Sequence, residues 1–528
     1  MSERLSRISG LILTVYLCVL IVVISFYVPN GYAGLGEAKF VAFRGVCAIF
    51  FCMLLPVACL RLAAWITGGG SMRHVGCGER LIASLSVCLI VSFFMARDKG
   101  IALWGLEGWR FGVLTQLLII FFAFMIWLQA EYIDLRIVGT VALITAGLVF
   151  LAGALNRFSI YPMSFMSESG SYLSTIGNIN WYSAYVAVFL PLIAGYFLTC
   201  DRAGWPCLCV LGVGLFTAIT QGSNTLALSV AAVIPVVLSG LLMRIVMAER
   251  VLLLTAMWGA CMELYGHIVT IDSRRETFGT ENIWREASQG HVGLILLVIS
   301  VAVLLILRHR RVPEGFDQRF PNDRARRAGC VMLLISVWIL LLLVASVVLI
   351  MVFHDKSGTI RHFLKDVFDI RLKLGWGNDR GHIWEMSGEL FMAQRPFRML
   401  FGLGPDCFAD ALYTSGTLSV RAYEVFGNAR LTNAHNELFT ALLDEGALYT
   451  IMLLSLYIRI YISLARRLVG TGPVPGRGEG AALCGLMLMA SVIAHQFLTF
   501  HTISSTPFFA YFLAVCARDA CNIAPKQI

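Results

Sequence analysis

Three short stretches of this chain hold residue types that could do chemistry. The first is Asn378-Asp379-Arg380-Gly381-His382-Ile383-Trp384, an arginine among glycines at the start of an apolar-periodic run. Backbone N–H groups at a helix start attract anions, and a guanidinium there can grip phosphate through two parallel hydrogen bonds. The plainer reading is an arginine paired with Asp379 or Glu385 on a wet surface. The second stretch is Asn433-Ala434-His435-Asn436-Glu437. Thr432 or Asn433 can cap a helix whose first turn holds Glu437. His435 then stands at the positive end of that helix, which disfavours the imidazolium. A neutral imidazole is the form a general base needs; a structural capping histidine is the alternative. The third stretch, Gly177-Asn178-Ile179-Asn180-Trp181-Tyr182, puts two asparagines at the mouth of an apolar run. Asn178 and Asn180 either cap that helix or line a polar cavity.

Weaker signals surround these. Arg97, Lys99 and Arg110 share one inter-helix loop, where they can meet phosphate or simply snorkel. Glu263 and His267 are spaced i,i+4, but two ligands do not make a metal site. His495 and His501 flank the last turn between apolar runs. Most of the 15 cysteines lie inside apolar runs and read as small hydrophobes. The Cys207-x-Cys209 pair lacks the second pair a zinc site would need. No disulfide framework, metal or cofactor is expected.

These residues need a scaffold, and composition names it. Of 528 residues, 58% are hydrophobic and only 14% charged, against roughly 25% charged in soluble domains. Disorder is excluded by the same apolar excess, and the chain reads as a polytopic membrane protein. Apolar runs long enough to cross a bilayer fall near 8–28, 40–62, 81–96, 112–130, 133–155, 180–199, 205–220, 225–247, 250–270, 291–307, 328–353, 446–465, 481–500 and 503–520. The runs at 81–96 and 205–220 are the shortest. The first reads as a retained helix, without a convincing cleavage site.

The formal charge of +9 is read as topology before nucleic acid. Arg61, Arg73 and Arg80, the seven arginines of 308–327, and Arg466, Arg467 and Arg477 all fall on one side if there are about fourteen spans. That side is cytoplasmic by the positive-inside bias, with both termini on it. The expected fold is an all-α polytopic helix bundle: helices 1–11 over 1–354, a large extracytoplasmic loop over 355–435, and helices 12–14 over 436–528.

That loop is partly helical by pattern. Ile383, Trp384, Met386, Leu390 and Phe391 recur at helical spacing between His382 and Gln394. Residues 355–436 carry nine acidic and ten basic side chains. Loops this long tend to be functional. A helix running unbroken over 436–465 would be about 45 Å long, against a core of about 30 Å. His435 must therefore stand above the membrane, or the helix must break near Gly446.

In order and topology the chain resembles the O-antigen ligase and polymerase family, bacterial many-helix enzymes with one large outer loop before the last helices. The resemblance is carried by Arg380-Gly381-His382-Ile383-Trp384, by Leu400-Phe401-Gly402-Leu403-Gly404-Pro405-Asp406-Cys407-Phe408, by Asn433-Ala434-His435-Asn436-Glu437 and by Glu445-Gly446. Leu106–Gly112 and Ser174–Asn180 also resemble family segments. The resemblance implies a membrane glycosyltransferase of the cell envelope, building surface polysaccharide. It moves a glycan from a polyprenyl-diphosphate donor to a hydroxyl of a glycan, lipid or protein acceptor. It implies His435 as general base and Arg380 on the diphosphate. The binding residues are then Arg110, Asn178, Asn180 and Asn436, the partners are the lipid-linked donor and membrane lipids, and no nucleic acid is involved. Many family members carry Ser-Arg-Gly where this chain has Thr220-Gln221-Gly222-Ser223-Asn224. Arg110, Arg274 and Arg275 are the candidates to replace that arginine. The alternative function is a transporter or flippase of lipid-linked glycans, for which internal repeats and mid-membrane charge are the expected marks.

Overall fold

The computed structural model describes residues 2–67, 76–162, 172–200, 203–243, 246, 248–271, 283–309, 323–352, 376–469 and 477–521. Within lipid every backbone N–H and C=O must be paired inside its own segment, and the apolar runs are accordingly helices. Among the described residues twelve helices are long and apolar enough to cross a membrane. Two more, Trp205–Thr220 and Thr506–Arg518, are apolar but shorter. The protein is a multi-pass helical membrane protein. The 81–96 run extends to Cys77–Met95 and reaches full length.

Local chemistry sets the helix starts. Asp134 caps Leu135–Arg157 by accepting from the N–H of Arg136 and Ile137, and Asp98 caps Lys99–Trp104 in the same way. Asn178 accepts from the N–H of Asn180 and opens Ile179–Thr199. A short antiparallel pair, Tyr172–Leu173 with Gly177–Asn178, lies just ahead of that helix, and one further strand, Pro29–Tyr32, follows the first helix.

Burial separates central from peripheral helices. In Ile179–Thr199 and Gly478–Gln496, 72% and 78% of the apolar window is buried, against 11% in Val292–His309. These two central helices pack on each other and on Thr225–Leu242. Hydroxyls tie the interior together: Ser491 donates to the Ala187 carbonyl (2.8 Å), Ser229 to that of Ser491 (3.0 Å), and Tyr16 meets Tyr511 (2.9 Å). Such bonds help drive helix association where lipid removes most of the hydrophobic force.

The segment around 376–426 folds into four helices, Trp376–Met392, Pro396–Phe401, Phe408–Thr414 and Gly416–Phe426. The expected 382–394 helix is thus present and starts six residues earlier. Ile383, Trp384, Met386, Leu390, Phe408 and Leu412 form a second core with Phe439 and Phe497, separate from the main one. The helix after His435 does break near Gly446: Glu437–Asp444 ends there and Ala447–Val469 begins.

Candidate functional site

The site forms where the second core meets one end of the bundle. Trp384 is 1% exposed and its indole N–H donates to the Ala434 carbonyl (3.1 Å). Arg380 lies four residues earlier on the same helix, hence on the same face. The grip on Ala434 therefore turns Arg380 toward His435. Its charge reaches the imidazole and, with burial as the larger cause, lowers the pKa of His435 to about 4. Burial also lowers the pKa of Arg380.

His435 has φ 49°, a left-handed conformation that costs energy outside glycine. Asn433 offsets it by accepting the His435 N–H at 3.0 Å. The ring edge meets Phe500, with centroids 5.2 Å apart. The Nδ1 atom of His435 is buried and has no hydrogen-bond partner. Such an atom is costly unless a ligand or water completes it. The helix cap itself is Asn436, not Thr432 or Asn433. Its Oδ1 accepts from the Phe439 N–H (3.1 Å) and its Nδ2 donates to the Phe497 carbonyl (2.9 Å). Asn436 is fully buried, so its amide staples two segments together.

The third stretch adjoins through aromatic rings. Phe500 touches Trp109 (4.6 Å), and Trp109 touches Trp181 (5.3 Å) at the mouth of Ile179–Thr199. Asn178 is the cap of that helix, while Asn180 is half-buried beside it. Arg110 is engaged: its Nε donates to Glu37 (2.7 Å) and its Nη1 to the Gly105 carbonyl (3.2 Å). Lys99 caps the preceding helix by donating to the carbonyls of Phe93, Phe94 and Ala96. Both cations have structural partners. Glu263 meets His291 at 2.8 Å as well as the i+4 His267 at 3.8 Å. His495 bridges Ser183 and Thr499 at 2.9 Å each.

Two motifs of the long segment interlock through glycine. Gly402 (φ +82°) and Gly446 (φ +92°) face each other so closely that a Cβ on Gly402 would lie 2.2 Å from the Asp444 carbonyl oxygen. Leu403 and Gly404 then donate to the carbonyls of Leu443 and Asp444, both at 2.9 Å. Asp406 is thereby carried to the loop before Val113, where it accepts from the N–H of Leu106 (2.6 Å) and Phe111 (3.0 Å).

Sequence reasoning missed two features. Arg157 is fully buried at the end of Leu135–Arg157. Its guanidinium carbon lies 3.3 Å from where a Cβ on Gly222 would stand. It thus occupies the turn that lacks its own arginine, while Arg274 and Arg275 lie outside the described residues. The signal was an arginine at the end of a span on the cation-poor side. The other feature is a polar cavity of about 30 Å³ lined by Asp406, Glu437, Asp444, Glu445, Trp109 and His501. His501 Nε2 lies 3.0 Å from Glu437. Burial lowers the pKa of His501 to about 3 and raises that of Glu437.

A larger apolar cavity of about 400 Å³ shares Phe111, Gln116 and His501 with the polar one. Its walls run from Gln116 to Trp127 and from Tyr449 to Ser463, about 15–20 Å at 1.5 Å per residue. Among the described residues no three His, Cys, Asp or Glu side chains stand together as metal ligands. The chain matches no protein-family model and no curated protein.

Proposed function

We propose that this protein is a membrane glycosyltransferase of the bacterial cytoplasmic membrane. It moves a glycan from a polyprenyl-diphosphate donor to an acceptor hydroxyl on the outer face. The observation that carries this reading is His435: a neutral imidazole within reach of the Arg380 charge, with a buried ring nitrogen that no protein group satisfies. A hydroxyl donating to that nitrogen would complete it and be activated by it.

The site suits a diphosphate leaving group. The charge of Arg380 reaches the base, and we assign Arg157, against Gly222, as a second cation that strengthens the field. Two guanidinium groups can stabilise the charge that develops as the glycosidic oxygen departs. With base and leaving group on opposite faces of the anomeric carbon, the reaction inverts configuration. The cavity beside the site supports a lipid-linked substrate, since its lining is mainly apolar, with Ile119, Trp127, Leu456 and Phe509 among its walls. Counting Trp205–Thr220 and Thr506–Arg518 as spans gives fourteen. His435 then faces away from the side that carries Arg61, Arg308, Arg466 and Arg467, and that side is cytoplasmic by the basic bias.

Liposomes holding the purified protein, a polyprenyl-diphosphate-linked oligosaccharide and an acceptor glycolipid test the reading. Wild type should form product, and His435→Gln, inserted at the same level, should lose at least a hundredfold in rate. Undiminished transfer by His435→Gln removes the base role. Wild type that turns over no polyprenyl-diphosphate donor removes the function.

A further inference from the structure

Four carboxylates converge on the small polar cavity beneath Phe500. Glu437, Asp444 and Glu445 are buried and Asp406 is half-buried, and the charge of Arg110 reaches Asp406. Arg110 is held by Glu37. Gln116 donates to Glu445 (2.6 Å), backbone N–H groups serve Asp406, and the Tyr449 hydroxyl lies beyond Gln116 (3.4 Å). His501 serves Glu437. Asp444 differs: it is 2% exposed, lines the cavity, and its Oδ1 has no hydrogen-bond partner. Four ionised carboxylates cannot share so small a space, because each charge opposes the next and water is excluded. The cluster must hold protons, and its members titrate as a group. A cavity of about 30 Å³ has room for a water or two, each needing the polar partners that this one offers.

The cavity neighbours the base. Phe500 both lines it and packs on the His435 ring, and Asn433, which holds the His435 N–H, lines it too. An imidazolium at His435 is opposed by burial and by Arg380, so a proton taken there must leave quickly. We propose that the Asp406–Glu437–Asp444–Glu445 cavity is a proton-storage site, receiving the proton that His435 removes from the acceptor hydroxyl, with Asp444 as the carboxylate that receives it. This rests on the proposed glycan transfer for the source of the proton. In that step the bond from the anomeric carbon to the diphosphate oxygen breaks and its electron pair leaves with the lipid diphosphate. The acceptor oxygen bonds to the anomeric carbon, and its proton passes to the imidazole. Water in the cavity then carries it to Asp444, and release to the outer aqueous phase restores the cluster. The groups facing Asp444 are Asp406 and Cys407 from the Gly-Pro-Asp loop, Glu437 and Glu445 from its own and the adjoining segment, and His501 beyond Glu437.

Two readouts test the site. Infrared spectra of the purified protein need no activity: wild type should show protonated carboxylic acid at neutral pH that declines as pH rises, and Asp444→Asn should shift that titration. Absence of that band in wild type, or an unchanged titration in Asp444→Asn, overturns the proposal. In the transfer assay Asp444→Asn should lower kcat about tenfold or more with KM for donor and acceptor unchanged, and added imidazole buffer should restore the rate. A normal kcat, or a loss that imidazole does not relieve, overturns it as well. Failure of wild-type transfer would instead sink the glycan-transfer reading, and the infrared result would still decide whether the cluster stores protons.

Discussion

His435 draws its chemistry from its surroundings. Burial and the Arg380 charge hold its pKa near 4 instead of the usual 6.5. The base is therefore already neutral at pH 5, and the acid limb of a kcat/KM profile should fall near pH 4. Arg380→Gln removes one of the two lowering causes, so in the residual activity that limb should move up toward neutral. A limb that stays in place would show that the two side chains do not interact. The same shift bears on stability. The unfolded chain binds a proton near pH 6.5 and the folded site does not, so stability is full above that pH and is lost as pH falls through about 4. Arg380 and His435 could be picked out because each lies in a short run of unusual composition. Arg157 carried a weaker signal, its place at the end of a span, and only folding sets it against Gly222, 65 residues further along.

Helix placement makes these residues into a site. The Trp384–Ala434 bond and the Asn436 staple to Phe497 hold His435 between two helices. Asn436→Ala leaves the buried Phe439 N–H and Phe497 carbonyl without that partner, a cost of about 2 kcal/mol or more. A thermal-unfolding midpoint lowered in detergent, with transfer reduced alongside, is the expected result; an unchanged midpoint would show that the staple does not contribute. Gly402→Ala meets both a positive φ and the Asp444 carbonyl, and should lower folded yield more than an alanine at Gly416, where a Cβ meets nothing. Helix periodicity made Trp376–Met392 readable in advance. The cap was misplaced by three positions relative to Asn433, since all of Thr432, Asn433 and Asn436 are good caps and only packing against Phe497 selects one.

The whole molecule is a lipid-embedded bundle that carries a small polar site at one end. Its orientation can be tested with single cysteines in a cysteine-depleted background. A cysteine at Tyr423, which is 58% exposed on the site's side, should react with an impermeant reagent in intact cells. One at Arg466, at the opposite end of Ala447–Val469, should react only after permeabilisation. The reverse pattern would overturn the outward-facing site. Composition and hydropathy by themselves determined that the chain is a polytopic helical membrane protein, helix length posed a break near Gly446 as one of two alternatives, and two short motifs picked out Arg380 and His435. Those are local properties, set by the run of apolar residues and by helix geometry. Tertiary structure alone decided that Arg110 is tied to Glu37, that Arg157 sits on Gly222, and that Asp406 joins Glu437, Asp444 and Glu445 around one cavity. Charge and proton affinity depend on neighbours from distant parts of the chain, and only folding brings those neighbours within reach.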